Sequence, residues 1–305
     1  MRIQDLIKAL FFSNVFYGIC TVALCMETSF QQQLPLSNTY FYILLFSLCT
    51  YYYTVAYANQ QIRPSIHANE RSHWYYQHQK KIKYTQFTLL IIGGFSFFQL
   101  LIHESFSFST IEWRTWLFML VFPILAVLYY GTEIPGKGFV SLRKWGLFKP
   151  FLIGLIWAGT VSILPIFYYD ITHSSNSVFT LTTAFLLLKN WFYISVLCIL
   201  FDIKDYASDY NFQLKTFIVR LGLRKTISWV ILPMAIAGWI FFFLIAIINH
   251  FPTLRILFNS IPFIMLIIVG YTMYQRKSIL YYLAIIDGLM LVKAIFGIFG
   301  MILIK

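Results

Sequence analysis

Charge is what this sequence has least of. Only 11% of its 305 residues are Asp, Glu, Lys or Arg, where a soluble domain carries about a quarter. Beside a hydrophobic share of 59%, that shortage excludes an ordinary water-soluble globule and points to a chain that lives in lipid. Cysteine is scarce too. Cys20, Cys25, Cys49 and Cys198 all lie in apolar runs and form no CxxC pair. They read as small buried hydrophobes, not as disulfide partners or metal ligands. Acidic residues are few against basic ones, 11 to 23, for a net charge of +12. In so apolar a chain this does not indicate nucleic acid; the basic residues are expected to mark cytoplasmic loops and meet membrane lipid. The first apolar stretch lacks an A-x-A-like cleavage site and reads as a span, not a leader.

Long apolar runs are what the chain has instead. A helix needs about 20 mainly apolar residues to cross a bilayer, and about nine such runs occur: 7–26, 40–58, 84–102, 113–130, 148–168, 178–200, 227–249, 256–273 and 279–304. They consume nearly the whole sequence. The expectation is therefore an all-α polytopic membrane protein with about nine transmembrane helices, a single domain over 1–305.

The connections alternate in charge. Arg63, Arg71, Lys80, Lys81 and Lys83 follow the second run, and Lys137, Arg143, Lys144 and Lys149 follow the fourth. Lys204, Lys215, Arg220, Arg224 and Lys225 follow the sixth, and Arg276 with Lys277 the eighth. The opposite connections, "SFQQQLPLSN", "HESFSFSTIE" and "YDITHSSNS", carry no Lys or Arg; the short one holding Arg255 is the exception. The positive-inside rule then places the N-terminus in the cytoplasm and the C-terminus outside, with 59–83 and 201–226 on one cytoplasmic face.

In that second segment, "LFDIKDYASDYNFQLKTFIVRLG", three aspartates stand together. As a helix, Asp202, Asp205 and Asp209 at i, i+3 and i+7 share one face. Like charges so close repel, and the end of a helix where carbonyls converge disfavours anions further. Something positive must offset this: Lys204 and Lys215 at a solvated helix end, or Mg²⁺, which takes one or two carboxylates plus substrate phosphates. The histidines of the other cytoplasmic segment, His67, His73 and His78, are spaced too irregularly to share a face, and Trp74, Tyr75 and Tyr76 read as an interfacial belt. Lys189, Asn190, Asp287 and Lys293 fall inside apolar runs. Each is a functional candidate by default, with bonding between helices as the other reading.

The run "DIKDYASDYNFQLKTFIVRLG" at the end of a sixth span, with its Lys215–Thr216 pair and "RLG", resembles the second aspartate-rich motif of the UbiA superfamily of intramembrane prenyltransferases. "LRKWGLFKPFLIGLIWAG" at 142–159 is similar more loosely. The resemblance implies nine helices around a central cavity and transfer of a prenyl group from a prenyl diphosphate to a lipophilic acceptor, aromatic or other. It also implies Mg²⁺ held by aspartate-rich motifs, with Asp202, Asp205 and Asp209 as catalytic metal ligands. Asn59, Arg63, Lys149 and Lys215 are the expected diphosphate contacts. The family's first motif is degenerate: Asn59 matches, but Gln60, Arg63 and His67 stand where aspartates are expected. Two other functions stay open, a non-catalytic lipid-binding or accessory protein on the same fold, and a transporter. The localisation expected is the cytoplasmic (inner) membrane.

Overall fold

A computed structural model describes residues 3–58, 70–134, 138–140, 142, 146–211, 216–275 and 277–303; the side chains of 3–6, 132–140 and 207–209 lie outside the description. The architecture is that of an all-α polytopic membrane protein. Eight helices are long and apolar enough to cross a bilayer. The chain divides into two compact units, 1–23 with 36–106, and 24–35 with 107–305.

The first unit contains α1 (Ile3–Phe12), the first turns of α2 (Val15–Gln31), α3 (Thr39–Ala58), α4 (Glu70–Gln77) and α5 (Gln79–His103). The span expected over 7–26 is thus two helices. α2 alone has 17 residues, one fewer than the 18 that mark the eight candidate spans. The chain breaks at Asn14, whose φ of 65° is left-handed, a conformation Asn tolerates better than most residues with a Cβ. Its side chain is buried and holds the corner. Nδ2 donates to the Tyr75 hydroxyl at 2.8 Å, and Oδ1 accepts from Arg71, whose guanidinium lies 3.9 Å over the Tyr57 ring. Lys8 and Glu70 pair nearby. α3 and α5 pack side by side, and α5 leaves Phe87, Phe95 and Phe98 more than half exposed. Such faces would aggregate in water and suit contact with acyl chains.

The second unit contains the end of α2, α6 (Trp113–Tyr130), a short antiparallel pair β1 (Thr132–Ile134) and β2 (Gly138–Val140), α7 (Lys149–His173), α8 (Leu181–Asn211) and α9 (Phe217–Leu221). It closes with α10 (Leu223–Ile248), α11 (Thr253–Thr272) and α12 (Ile279–Ile302). α7, α10 and α12 each contain a π-helical turn, at Gly159–Ile163, Ile227–Ile231 and Tyr282–Ile286. In α7 the cause is legible: Pro165 has no N–H for the carbonyl of Val161, four residues back. Thr28 Oγ1 donates to that carbonyl at 2.7 Å instead. α7 ends at Ser174 in the left-handed conformation, φ 53°. Asp170, buried, then closes the following loop by accepting from Ser175 Oγ and Ser177 N, both at 2.6 Å, and Val178 N at 3.2 Å.

Candidate functional site

α8 carries the aspartates. It runs 31 residues without a break, so Asp202 and Asp205 sit well before its last turn, at Asn211. The helix-end penalty expected for them therefore does not apply, since it fades within one turn of the terminus. Asp202 is buried, and Lys149 Nζ donates to its Oδ1 at 2.6 Å. Lys149 opens α7, and the following Pro150 suits a helix start, where its missing N–H is not needed. Asp205, one turn further on, is 44% exposed at its side chain and pairs with Lys204 at 3.3 Å. Lys204 Nζ also lies 5.3 Å from the Phe201 ring, which meets Tyr282 of α12 edge-on at 5.8 Å. The arrangement is a buried carboxylate, a half-exposed one and two lysines at one end of a membrane helix, with aromatic rings beside them.

The remaining expected residues fall outside what the structure describes. Asp209 lies on the α8 backbone, but its side chain is outside the described residues, as are Asn59, Arg63, His67 and Lys215 altogether. His78 stacks on Trp74 at 4.7 Å with Nδ1 2.9 Å from the Trp74 carbonyl, an interfacial contact. Among the described residues, no three His, Cys, Asp or Glu side chains converge as a metal cage would require. Two carboxylates at i and i+3 still fit Mg²⁺, a hard ion that takes one or two carboxylates and keeps the rest of its shell for water and phosphate oxygens. Asp202 and Asp205 would hold it.

A second polar group lies deeper in the same unit. Glu27, near the end of α2, takes Lys189 Nζ of α8 on Oε1 at 3.1 Å and Lys293 Nζ of α12 on Oε2 at 2.6 Å. Gln31 donates to Glu27 Oε1 and to Asn259 Oδ1 of α11, both at 2.9 Å, and accepts from Lys189 at 2.6 Å. All five side chains are buried. Gly297 of α12 leaves space for the carboxylate: a Cβ there would fall 2.6 Å from Glu27 Cγ. Next to Lys189 on α8, Asn190 Nδ2 donates to Ser162 Oγ in the α7 π turn at 2.8 Å. Lys189, Asn190 and Lys293 were thus marked by sequence, and their bonds join helices. Glu27 was not, because it follows the last apolar residue of its run; its place on a continuing helix is the signal that would have found it.

No protein-family model, curated protein or solved structure matches the chain.

Proposed function

We propose that this membrane protein is a UbiA-like prenyltransferase, passing the prenyl group of a prenyl diphosphate to a lipophilic acceptor at the Asp202 end of α8. The observation that carries the reading is the buried Asp202–Lys149 pair with Asp205 one turn beyond. A carboxylate is costly to bury in an apolar chain, and such residues in membrane helices mark sites more often than packing. In this reading Asp202 and Asp205 serve the metal and Lys149 the diphosphate oxygens, while Asn59, Arg63 and Lys215, outside the described residues, keep the diphosphate roles that the resemblance implies. Arg63 stands as a fixed cation where the family has an aspartate, since arginine matches phosphate bidentately and stays charged. Mg²⁺, when bound, supplies positive charge that eases departure of the diphosphate. The Phe201 and Tyr282 rings lie beside the pair, and aromatic rings of this kind attract an allylic cation. The protein sits in the cytoplasmic membrane, N-terminus inside, C-terminus outside.

One observation favours a second reading. The two described aspartates already have lysines, Lys149 and Lys204, as they would in an accessory protein that kept the fold and binds lipid without turnover. Titrating purified protein with farnesyl diphosphate, with and without Mg²⁺, and following diphosphate release with candidate acceptors separates the two. Prenyl transfer predicts Mg²⁺-dependent binding that Asp202→Asn weakens, together with release. Charge-assisted contacts of about 1.5–3 kcal/mol each set the loss for Arg63→Ala at roughly 10- to 150-fold. Unchanged binding by Asp202→Asn sinks the site, and binding without release selects the accessory role.

A further inference from the structure

At the start of α10 the second unit has a pocket of about 520 Å³, lined by Leu221, Gly222, Leu223, Arg224, Lys225 and Tyr274. Two of its six lining residues are cations and none is an acid. Arg224 and Lys225 are both exposed, and no carboxylate among the described residues pairs with either. Gly222 keeps the floor open: its φ is 76°, and nothing lies within 4 Å of where a Cβ would stand.

The pocket does not end in water on every side. Nearly two turns into α10, Trp229 is 77% exposed, in the manner of an indole at a membrane interface. Below it Ile236 and Ile240 of α10 and Ile268 and Ile264 of α11 are exposed as well. Where the two helices approach, a Cβ at Gly270 of α11 would lie 3.5 Å from Ile231 in the α10 π turn. A cationic cup thus stands at the end of two packed spans that both expose apolar side chains.

We propose that this pocket seats the headgroup phosphate of an anionic phospholipid whose acyl chains lie along α10 and α11. Charge complementarity names the occupant: two cations with no carboxylate partner among the described residues, no acid in the lining, and neighbouring apolar faces that a soluble anion would not use. The pocket belongs to a connection that the basic-loop pattern assigns to the cytoplasmic side, where anionic headgroups give the leaflet its negative potential. Arginine supplies a planar fork for phosphate oxygens and lysine a point charge.

The test uses the full chain reconstituted in phosphatidylcholine bilayers doped with phosphatidylglycerol, either lipid being brominated, and reads Trp229 quenching against Trp229→Phe. Each basic residue near an anionic surface favours binding roughly 5-fold, so the site should prefer phosphatidylglycerol by about 25-fold. Arg224→Gln with Lys225→Gln should abolish that preference while leaving the unfolding midpoint unchanged, both side chains being exposed. Equal quenching by the two lipids, or a preference that survives the double variant, overturns the proposal. Displacement of phosphatidylglycerol by inorganic phosphate or farnesyl diphosphate also overturns it, showing a site for soluble phosphates. Asp202→Asn should not alter the lipid preference, so this result is separable from the fate of the prenyl-transfer site.

Discussion

Replacing Glu27 by Gln keeps its volume and much of its hydrogen-bonding reach but removes the one negative charge between two buried lysines. In the wild type Oε1 meets Lys189 at 3.1 Å and Oε2 meets Lys293 at 2.6 Å, and all three side chains are at most 3% exposed. Breaking a buried pair by removing one partner costs about 3–5 kcal/mol, because the charge left behind has neither water nor counterion. Glu27→Gln should therefore lower the unfolding constant's favourable ratio by roughly 150- to 5,000-fold. Reversible unfolding in mixed micelles at increasing dodecyl sulfate, followed by circular dichroism, measures it. Two controls sharpen the result. Lys293→Met leaves the Glu27–Lys189 pair intact and should cost less than Glu27→Gln. Replacing all three by apolar residues, Glu27→Leu, Lys189→Met and Lys293→Met, should come within about 1 kcal/mol of the wild type or exceed it, as apolar substitutes for buried ion groups often do. A Glu27→Gln protein within about 0.5 kcal/mol of the wild type, the range of ordinary surface changes, would refute the reasoning.

Gly297→Ala should destabilise by about 1–3 kcal/mol in the same assay, since its Cβ would press on Glu27. Gly288→Ala on the same helix meets nothing within 4 Å and should stabilise by up to about 1 kcal/mol. Asp170→Ala removes the acceptor of two backbone amides, so hydrogen exchange at Ser177 and Val178 should accelerate sharply while the core of α8 keeps its protection. Tyr75 lies outside the spans, and burial pushes its hydroxyl up to about 12 against the opposing effect of Arg71. The unfolded chain therefore releases this proton first, and stability should fall as pH rises from about 10 to about 12; in Tyr75→Phe that part of the fall should vanish, as equilibrium unfolding across this range would show.

Apolar runs of about 20 residues located the helices because lipid imposes one length on them all. Eight of the nine expected spans appear as long apolar helices, with ends shifted by several residues. The first did not, because Asn14 turns the chain inside the run without lowering its hydropathy; a left-handed residue leaves no trace in an average. Asp202 and Asp205 were legible as a charged face, and Lys189 and Lys293 as ions out of place. Lys204 was legible as an offset for that face and pairs with Asp205, but the partners of Asp202, Lys189 and Lys293 were not. Lys149 is 53 residues from Asp202, and Glu27 is 162 and 266 residues from its two lysines. Pairings over such distances depend on which helices become neighbours, and no local spacing encodes that.

The π turns have a consequence for anyone drawing these spans as wheels. Each inserts one residue relative to a regular helix, and one residue is about 100° of rotation. In α12, a wheel started at Ile279 and carried through Tyr282–Ile286 without the extra residue misplaces all that follows by that angle, Lys293 and Gly297 included. It would turn the residues that meet Glu27 toward the wrong neighbour. The same offset applies after Gly159–Ile163 and Ile227–Ile231, so a cysteine-accessibility scan along α7, α10 or α12 should show two phases of periodicity joined at a jump, with the jump marking the turn.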